Sequence, residues 1–298
     1  MNRCSLVVST ILLLPPAIEA QQDFSKVEIQ AIHVAGPVHM LLGSGGNIGV
    51  SAGADGILIV DDQFAPLAEK IRAALKKLGE GKLKFVLNTH WHGDHTGGNQ
   101  EFGREAPIIA HTNVRERLAT RQTIFGKEIE PSPREALPVI TFDDSLSVHF
   151  NGEEIRALHV AASHTDGDSV IFFTGSNVVH MGDNFFNGTF PFVDLDSGGD
   201  VLGMARAVED VLSKLPADAR VIPGHGPLAG AAELRSYLRM LRETTEIVRK
   251  RIALGWDLER IKAEGLPGEW AGWGEGFIKT DQWLEIVHRS LSRSSRKP

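Results

Sequence analysis

One cysteine, Cys4, is all that a chain of 298 residues carries. It lies ahead of an N-terminal apolar stretch, so removal of that stretch leaves no thiol to form an internal disulfide or to ligate a metal. Any metal site in the mature chain must use nitrogen and oxygen. Positive charge is also scarce: 31 Lys and Arg against 38 Asp and Glu give a formal net charge of -7. That balance leaves no footprint for nucleic acid and disfavours a polyanionic substrate. Internal repeats, low-complexity tracts and bilayer-length apolar runs are missing too. What remains is ordinary apolar content, 42%, in a chain long enough to bury a large core in one main domain.

The N-terminus reads as a targeting segment. Arg3 supplies a positive start, Ser5 to Leu14 an apolar stretch, and Ile18-Glu19-Ala20 a cleavage site before Gln21. The alternative is a retained anchor, since the site is imperfect. Cys4 precedes the apolar run, which does not fit a lipid-modified cysteine. The expected layout is a signal peptide over 1–20, a main domain over 21–255, and a C-terminal loop and helix over 256–298 packed on that domain. The mature protein is then periplasmic or secreted, with no membrane segment.

The densest chemistry lies in Asn88-Thr89-His90-Trp91-His92-Gly93-Asp94-His95. Three of the chain's 12 histidines and a carboxylate fall within six positions, directly after the apolar run Leu83–Leu87. In an extended chain His90 and His92 project to one side and can share an ion. Gly93 lets the backbone turn, which aims Asp94 and His95 at a point displaced from the first. Two adjacent metals are implied.

The pattern His-x-His-x-Asp-His resembles the signature of the metallo-β-lactamase superfamily, and the resemblance extends over roughly residues 30 to 230. Ala161-Ala162-Ser163-His164-Thr165-Asp166-Gly167-Asp168 is similar to the family's second metal motif, which implies that His164 joins His90 and His92. His180-Met181-Gly182-Asp183 is similar to the segment carrying a carboxylate that bridges both metals, a role this implies for Asp183. Pro223-Gly224-His225-Gly226 matches the last motif and implies that His225 joins Asp94 and His95. Where several lactamases of the family place a cysteine, this chain has Asp183, which resembles hydrolases of the glyoxalase II type.

The resemblance implies an α/β protein, the four-layer αββα sandwich. Segments Ile29–His33, Val38–Leu42, Ile48–Ser51 and Gly56–Val60 read as strands of an antiparallel sheet. Residues 65 to 78 read as a covering helix stopped by Gly79. Further strands are expected at 107–110, 140–142, 146–150, 154–159, 170–174 and 178–181, and helices at 200–215 and 228–254. The basic residues of the last helix alternate with Glu233, Glu243 and Glu246, which points to a solvated face. Trp270 and Trp273 are assigned to core packing, with a pocket lining as the alternative.

The implied function is an exported dinuclear zinc hydrolase. A hydroxide bridging two Zn2+ per chain would attack the activated carbonyl of a small molecule, with Asp94 as the catalytic carboxylate that orients it and passes a proton on. Zinc suits the imidazole and carboxylate set best, with iron or manganese as alternatives. A β-lactam is one substrate class; a thioester or lactone, or a substrate linked to sulfur oxidation or quinoproteins, is the alternative. Asp61 is expected to hydrogen-bond near the histidine turn, or else to be a turn residue beside Asp62. Asn184 is a candidate oxyanion donor. The turn Gly43–Asn47 is expected to be a flexible loop over the cleft or a plain hairpin. His111, His159 and His180 are assigned structural roles.

Overall fold

The structure is a computed structural model and describes residues 23–294. The expected cleavage site, the apolar stretch and Cys4 lie outside the described residues. Strand Gly56–Val60 shows how the layers arise. All five of its residues are buried, because Leu58 and Val60 face one core while Ile57 and Ile59 face another. A strand covered on both faces reads as a continuous apolar run.

It sits in a seven-stranded sheet, ordered Gln30–Ala35, Val38–Leu42, Ile48–Gly53, Gly56–Val60, Leu83–Leu87, Ile108–His111 and Ile140–Phe142. The first four strands pair antiparallel, and the last three join in parallel. The expectation of antiparallel pairing holds for those four strands, and the sheet continues in parallel beyond them. The covering helix Ala68–Leu78 lies between Val60 and Leu83, and such a crossover returns the chain parallel. The second sheet runs Ser145–Phe150, Glu153–His159, Ser169–Phe173, Val178–His180, Arg220–Ile222 and Ala229–Gly230.

Between the sheets, Val38, Met40, Leu58 and Val60 meet Ile155, Ile171, Phe173 and Ile222. Outside the first sheet, Ile71 and Leu75 of the covering helix pack on Ile57 and Ile59. Outside the second, helices Val201–Lys214, Ala231–Ala253 and Thr280–Ser294 cover Val170, Val179 and Val221. The fold is therefore the αββα sandwich. Trp270 and Trp283 are buried in that outer core, and Arg239 rests over the Trp270 ring.

Several short elements escape the sequence reading, among them a helix Thr112–Leu118, a hairpin of Gln122–Ile124 with Lys127–Ile129, the strand Ala229–Gly230, and a helix Leu258–Glu264 inside the C-terminal segment. Each element is seven residues or shorter, too short for a hydrophobic period to register. No described helix is long and apolar enough to cross a membrane.

Two parallel pairings place the site. Because Gly56–Val60 runs parallel to Leu83–Leu87, the segments beginning at Asp61 and Asn88 leave the first sheet at one end. Because Val178–His180 runs parallel to Arg220–Ile222, the segments carrying Asp183 and His225 leave the second sheet together. Asn47 N–H donates to Gly224 O, and Ser169 N–H to Thr89 O, which ties the two ends together.

Candidate metal centre

The strand ends at Leu87, so His90 and His92 stand in a loop and not in the extended segment first expected. Their backbone is claimed by tertiary partners instead: Asn88 N–H donates to Ile109 O, and Thr89 N–H to Asp61 Oδ1 at 2.7 Å. The two imidazoles nevertheless converge, with ring centres 4.9 Å apart. Asp94 and His95 follow on the short helix Gly93–Thr96.

Seven side chains assemble into two groups. His90, His92, His164 and Asp183 form one, entirely buried; Asp94, His95 and His225 form the other, with Asp94 and His225 at the rim and His95 buried. Asp183 stands between them. Its Oδ2 lies 3.5 Å from His164 Nε2 and 3.8 Å from His90 Nε2, while its Oδ1 lies 3.0 Å from His95 Nε2 and 3.4 Å from His225 Nε2. Asp94 Oδ2 is 3.2 Å from His225 Nε2.

Hydrogen bonds outside the cluster fix which nitrogen faces inward. Asp61 accepts from Thr89 Oγ1 at 2.8 Å, so Thr89 must accept from His90 Nδ1 at 3.0 Å, and His90 Nε2 is left with its lone pair inward. His95 Nδ1 donates to Asp61 Oδ2 at 2.7 Å. His164 Nδ1 donates to the Phe192 carbonyl at 2.8 Å, and His92 Nε2 to Asp194 Oδ2 at 3.1 Å. The inward atoms of this last pair, His92 Nδ1 and His164 Nε2, then face each other at 2.8 Å. Two lone pairs so close repel unless a cation shares them, and outward donation to a carboxylate or carbonyl is how metal-binding histidines are oriented. His90 Nε2 is buried with no hydrogen-bond partner. The residues fit a metal pair.

Charge separates the two groups. Burial holds His90 far below the ordinary histidine range, and holds His164 at about 4 even though Asp183 opposes the shift. Burial also works against charge on His95 and His225, but Asp183 outweighs it, aided by Asp94; His95 is held well above its usual range and His225 at about 9. Burial disfavours ionised Asp94, yet His95 and His225 bring it down to about 2. The rim group, with its carboxylates ionised, is thus a place that collects positive charge.

Two glycines allow this packing. A Cβ on Gly46 would stand 2.1 Å from the His95 ring, and one on Gly224 would stand 2.1 Å from Asp183 Oδ1. The turn that holds Gly46 is pinned: Gly46 N–H donates to Asp94 O, Gln63 Nε2 to Gly46 O, and Asn47 Nδ2 to Pro223 O and Gly226 O. Of the two expectations for this turn the plain hairpin holds, joining the antiparallel strands Val38–Leu42 and Ile48–Gly53, and the turn is the bed on which His95 lies. The proposed oxyanion role of Asn184 is corrected. Its amide donates to Met181 O and accepts from Ser163 Oγ, so it is spent inside the protein.

Asp61, buried and in the left-handed region at φ 65, serves both Thr89 and His95. His180 Nε2 donates to Asn47 O, and His111 stacks on His159 at 3.7 Å. Asp194 and Phe192 were not singled out from the sequence. They reach the site through Asp194 N–H donating to His164 O, a contact across 30 residues that no local motif announces. Burial raises Asp168 to about 8 while its carboxyl accepts from Thr165 N and Oγ1, which shapes the loop that carries His164.

The sequence profile of the metallo-beta-lactamase superfamily matches residues 48–225, and the chain belongs to that superfamily. It is similar to the metallo-beta-lactamase type 2 of Bacteroides fragilis, 24% identical over 57% of this chain and 64% of that protein. It is also similar to a probable hydroxyacylglutathione hydrolase of Schizosaccharomyces pombe, 30% identical over 56% of this chain and 57% of that one. The chain thus spans about three fifths of each of these relatives. A solved metallo-beta-lactamase from Pontibacter korlensis superposes with a TM-score of 0.60, at 16% identity over 72% of this chain and 99% of that one, a likeness of fold.

Proposed function

We propose that this protein is a zinc-dependent hydrolase of activated acyl bonds in small molecules, holding two ions per chain. One observation carries the reading: Asp183 presents one carboxylate oxygen to His90 and His164 and the other to His95 and His225. His90, His92 and His164 would hold the first ion, Asp94, His95 and His225 the second, and Asp183 both. Bound there, zinc would polarise an acyl carbonyl and supply a hydroxide nucleophile near neutral pH. The chain's own residues do the rest. Asp61 and Asp194 hold His95 and His92 in orientation, and Asp94, ionised and partly exposed, is placed to accept a proton from the attacking water and return it to the leaving atom.

A thioester suits this site best, since a thiolate leaves with little protonation; a lactone, whose alkoxide needs the proton that Asp94 at the rim can return, comes next. A β-lactam is the second reading, favoured by the similarity to the Bacteroides enzyme. Export to the periplasm or beyond, after removal of residues 1–20, belongs to the same proposal; intact mass of the secreted protein should start at Gln21, and retention of Met1 would contradict it. The activity test uses zinc-loaded protein against acyl thioesters, lactones and nitrocefin, with and without chelator. Hydrolysis of at least one, abolished by chelation and restored by zinc, is expected. Inertness toward all of them, or turnover that survives chelation, would overturn the reading.

A further inference from the structure

Phe125 occupies a position its side chain should not favour. It stands at the tip of the hairpin Gln122–Ile124/Lys127–Ile129 with φ +51, followed by Gly126 at φ +75. Two successive left-handed residues make the tight hairpin turn in which Asn-Gly is preferred, and a bulky aromatic at the first of them is strained. It is also 61% exposed, and Phe277, which meets it from the C-terminal segment, is 73% exposed. Neither folding nor turn chemistry asks for a phenyl ring there.

The rings form a file that leads away from the metal ligands. Phe192 lies 5.8 Å from His92 and 5.9 Å from His164, ring centre to ring centre. Phe125 follows 4.6 Å beyond Phe192, and Phe277 5.9 Å beyond Phe125. Beside the file runs a groove of about 580 Å³ whose apolar wall includes Ile278 and Ile286. Its charged lining is Asp194, Asp196, Glu285 and one cation, Arg289. Arg289 is paired to Asp196 at 3.4 Å, and Asp196 also takes Arg293. Glu285 is paired to Lys262 at 2.7 Å and Asp194 to His92 at 3.1 Å, so each charged lining residue already has a partner.

We propose that this file is the acyl-binding subsite: it takes an uncharged aryl or long-chain acyl group, since its rings offer apolar contact and the charges beside them are already paired. The inference rests on the hydrolase reading for its chemistry, in which water oxygen bonds to the acyl carbon, the carbon–sulfur or carbon–oxygen bond breaks, and the proton goes to the leaving atom. Recognition rests on the rings alone. An aryl group stacked along Phe192 and Phe125 keeps its carbonyl beside His92 and His164, and the pairing gains what aromatic contacts give beyond area burial.

The test reads binding apart from turnover. Isothermal titration calorimetry of the zinc-loaded protein with 2-naphthylacetamide, a neutral probe, should give saturable binding. Phe125→Asn, which keeps a residue suited to the turn, and Phe277→Ala should each weaken it about threefold to tenfold. Absence of binding, or binding that neither substitution weakens, would overturn the proposal. Variant-sensitive binding without hydrolysis of any acyl substrate would support the subsite while defeating the hydrolase reading. Hydrolysis with variant-insensitive binding would do the reverse. A kinetic arm compares the N-acetylcysteamine thioesters of phenylacetate and of acetate, which differ only in the acyl group. The phenylacetyl thioester should have at least about a tenfold higher kcat/KM, and equal or better use of the acetyl thioester would overturn the proposal.

Discussion

The two ligand groups are neighbours built on opposite principles. His90, His92 and His164 are buried, and burial keeps His90 and His164 neutral. They are oriented by partners on loops outside the sheets: Thr89, Asp194 and the Phe192 carbonyl. Asp94 and His225 stand at the rim, each with 29% of the side chain exposed, among charges held by mutual attraction. The first group is a preformed set of lone pairs, and the second a charged mouth. A hydrolytic pair needs both: one ion fixed firmly, and one reachable by substrate and leaving group.

Breaking the link between the groups should cost most. Asp183→Asn removes the charge shared by the two groups, so activity should fall more than about a hundredfold and metal content drop toward one ion per chain, with circular dichroism unchanged. Full metal content with full activity would remove the role assigned to Asp183. Orientation comes next, and here the groups can be told apart. Asp194→Asn should weaken the buried group, and Asp61→Asn chiefly the rim group through His95, each by about tenfold to a hundredfold in metal affinity by competition with a chromophoric chelator. If both variants lose the same ion, the division is wrong.

Gly46→Ala should act on the rim group by pressing a methyl against His95. It should lower the affinity for the second ion and cost about 1–3 kcal/mol in chemical denaturation. A variant that binds both ions normally would show that the turn gives way. Smallest in activity is Asn184→Ala. Its amide serves Met181 and Ser163, so it should cost about 1–3 kcal/mol of stability and change kcat little. A large loss of kcat at unchanged stability would restore the oxyanion role.

How much of this was legible depends on how local each determinant is. Each of the seven side chains lies within eight residues of a strand end, in a motif that combines an apolar run, a glycine and a ligand, and the structure brings them together. Asp61 closes its strand in the same way. Asp194 and Phe192 carry no such grammar, because their contacts with His92 and His164 are tertiary and 102 and 28 residues distant. Asn184 was misjudged from its place beside Asp183, since the Ser163 hydroxyl that claims it comes from another loop. In the fold, the long alternating segments were readable, whereas the switch from antiparallel to parallel pairing depends on the crossover after Val60 and on no residue within the strands.

The central claim is that Asp183 joins a buried and an exposed metal position. It is tested most directly by elemental analysis of zinc-loaded protein during graded chelation, in wild type and Asp183→Asn. Two ions per chain are predicted in wild type, one lost early from the rim and one retained, with the variant starting near one. A wild type that holds one ion or none after zinc loading, or a variant that keeps two, would contradict it.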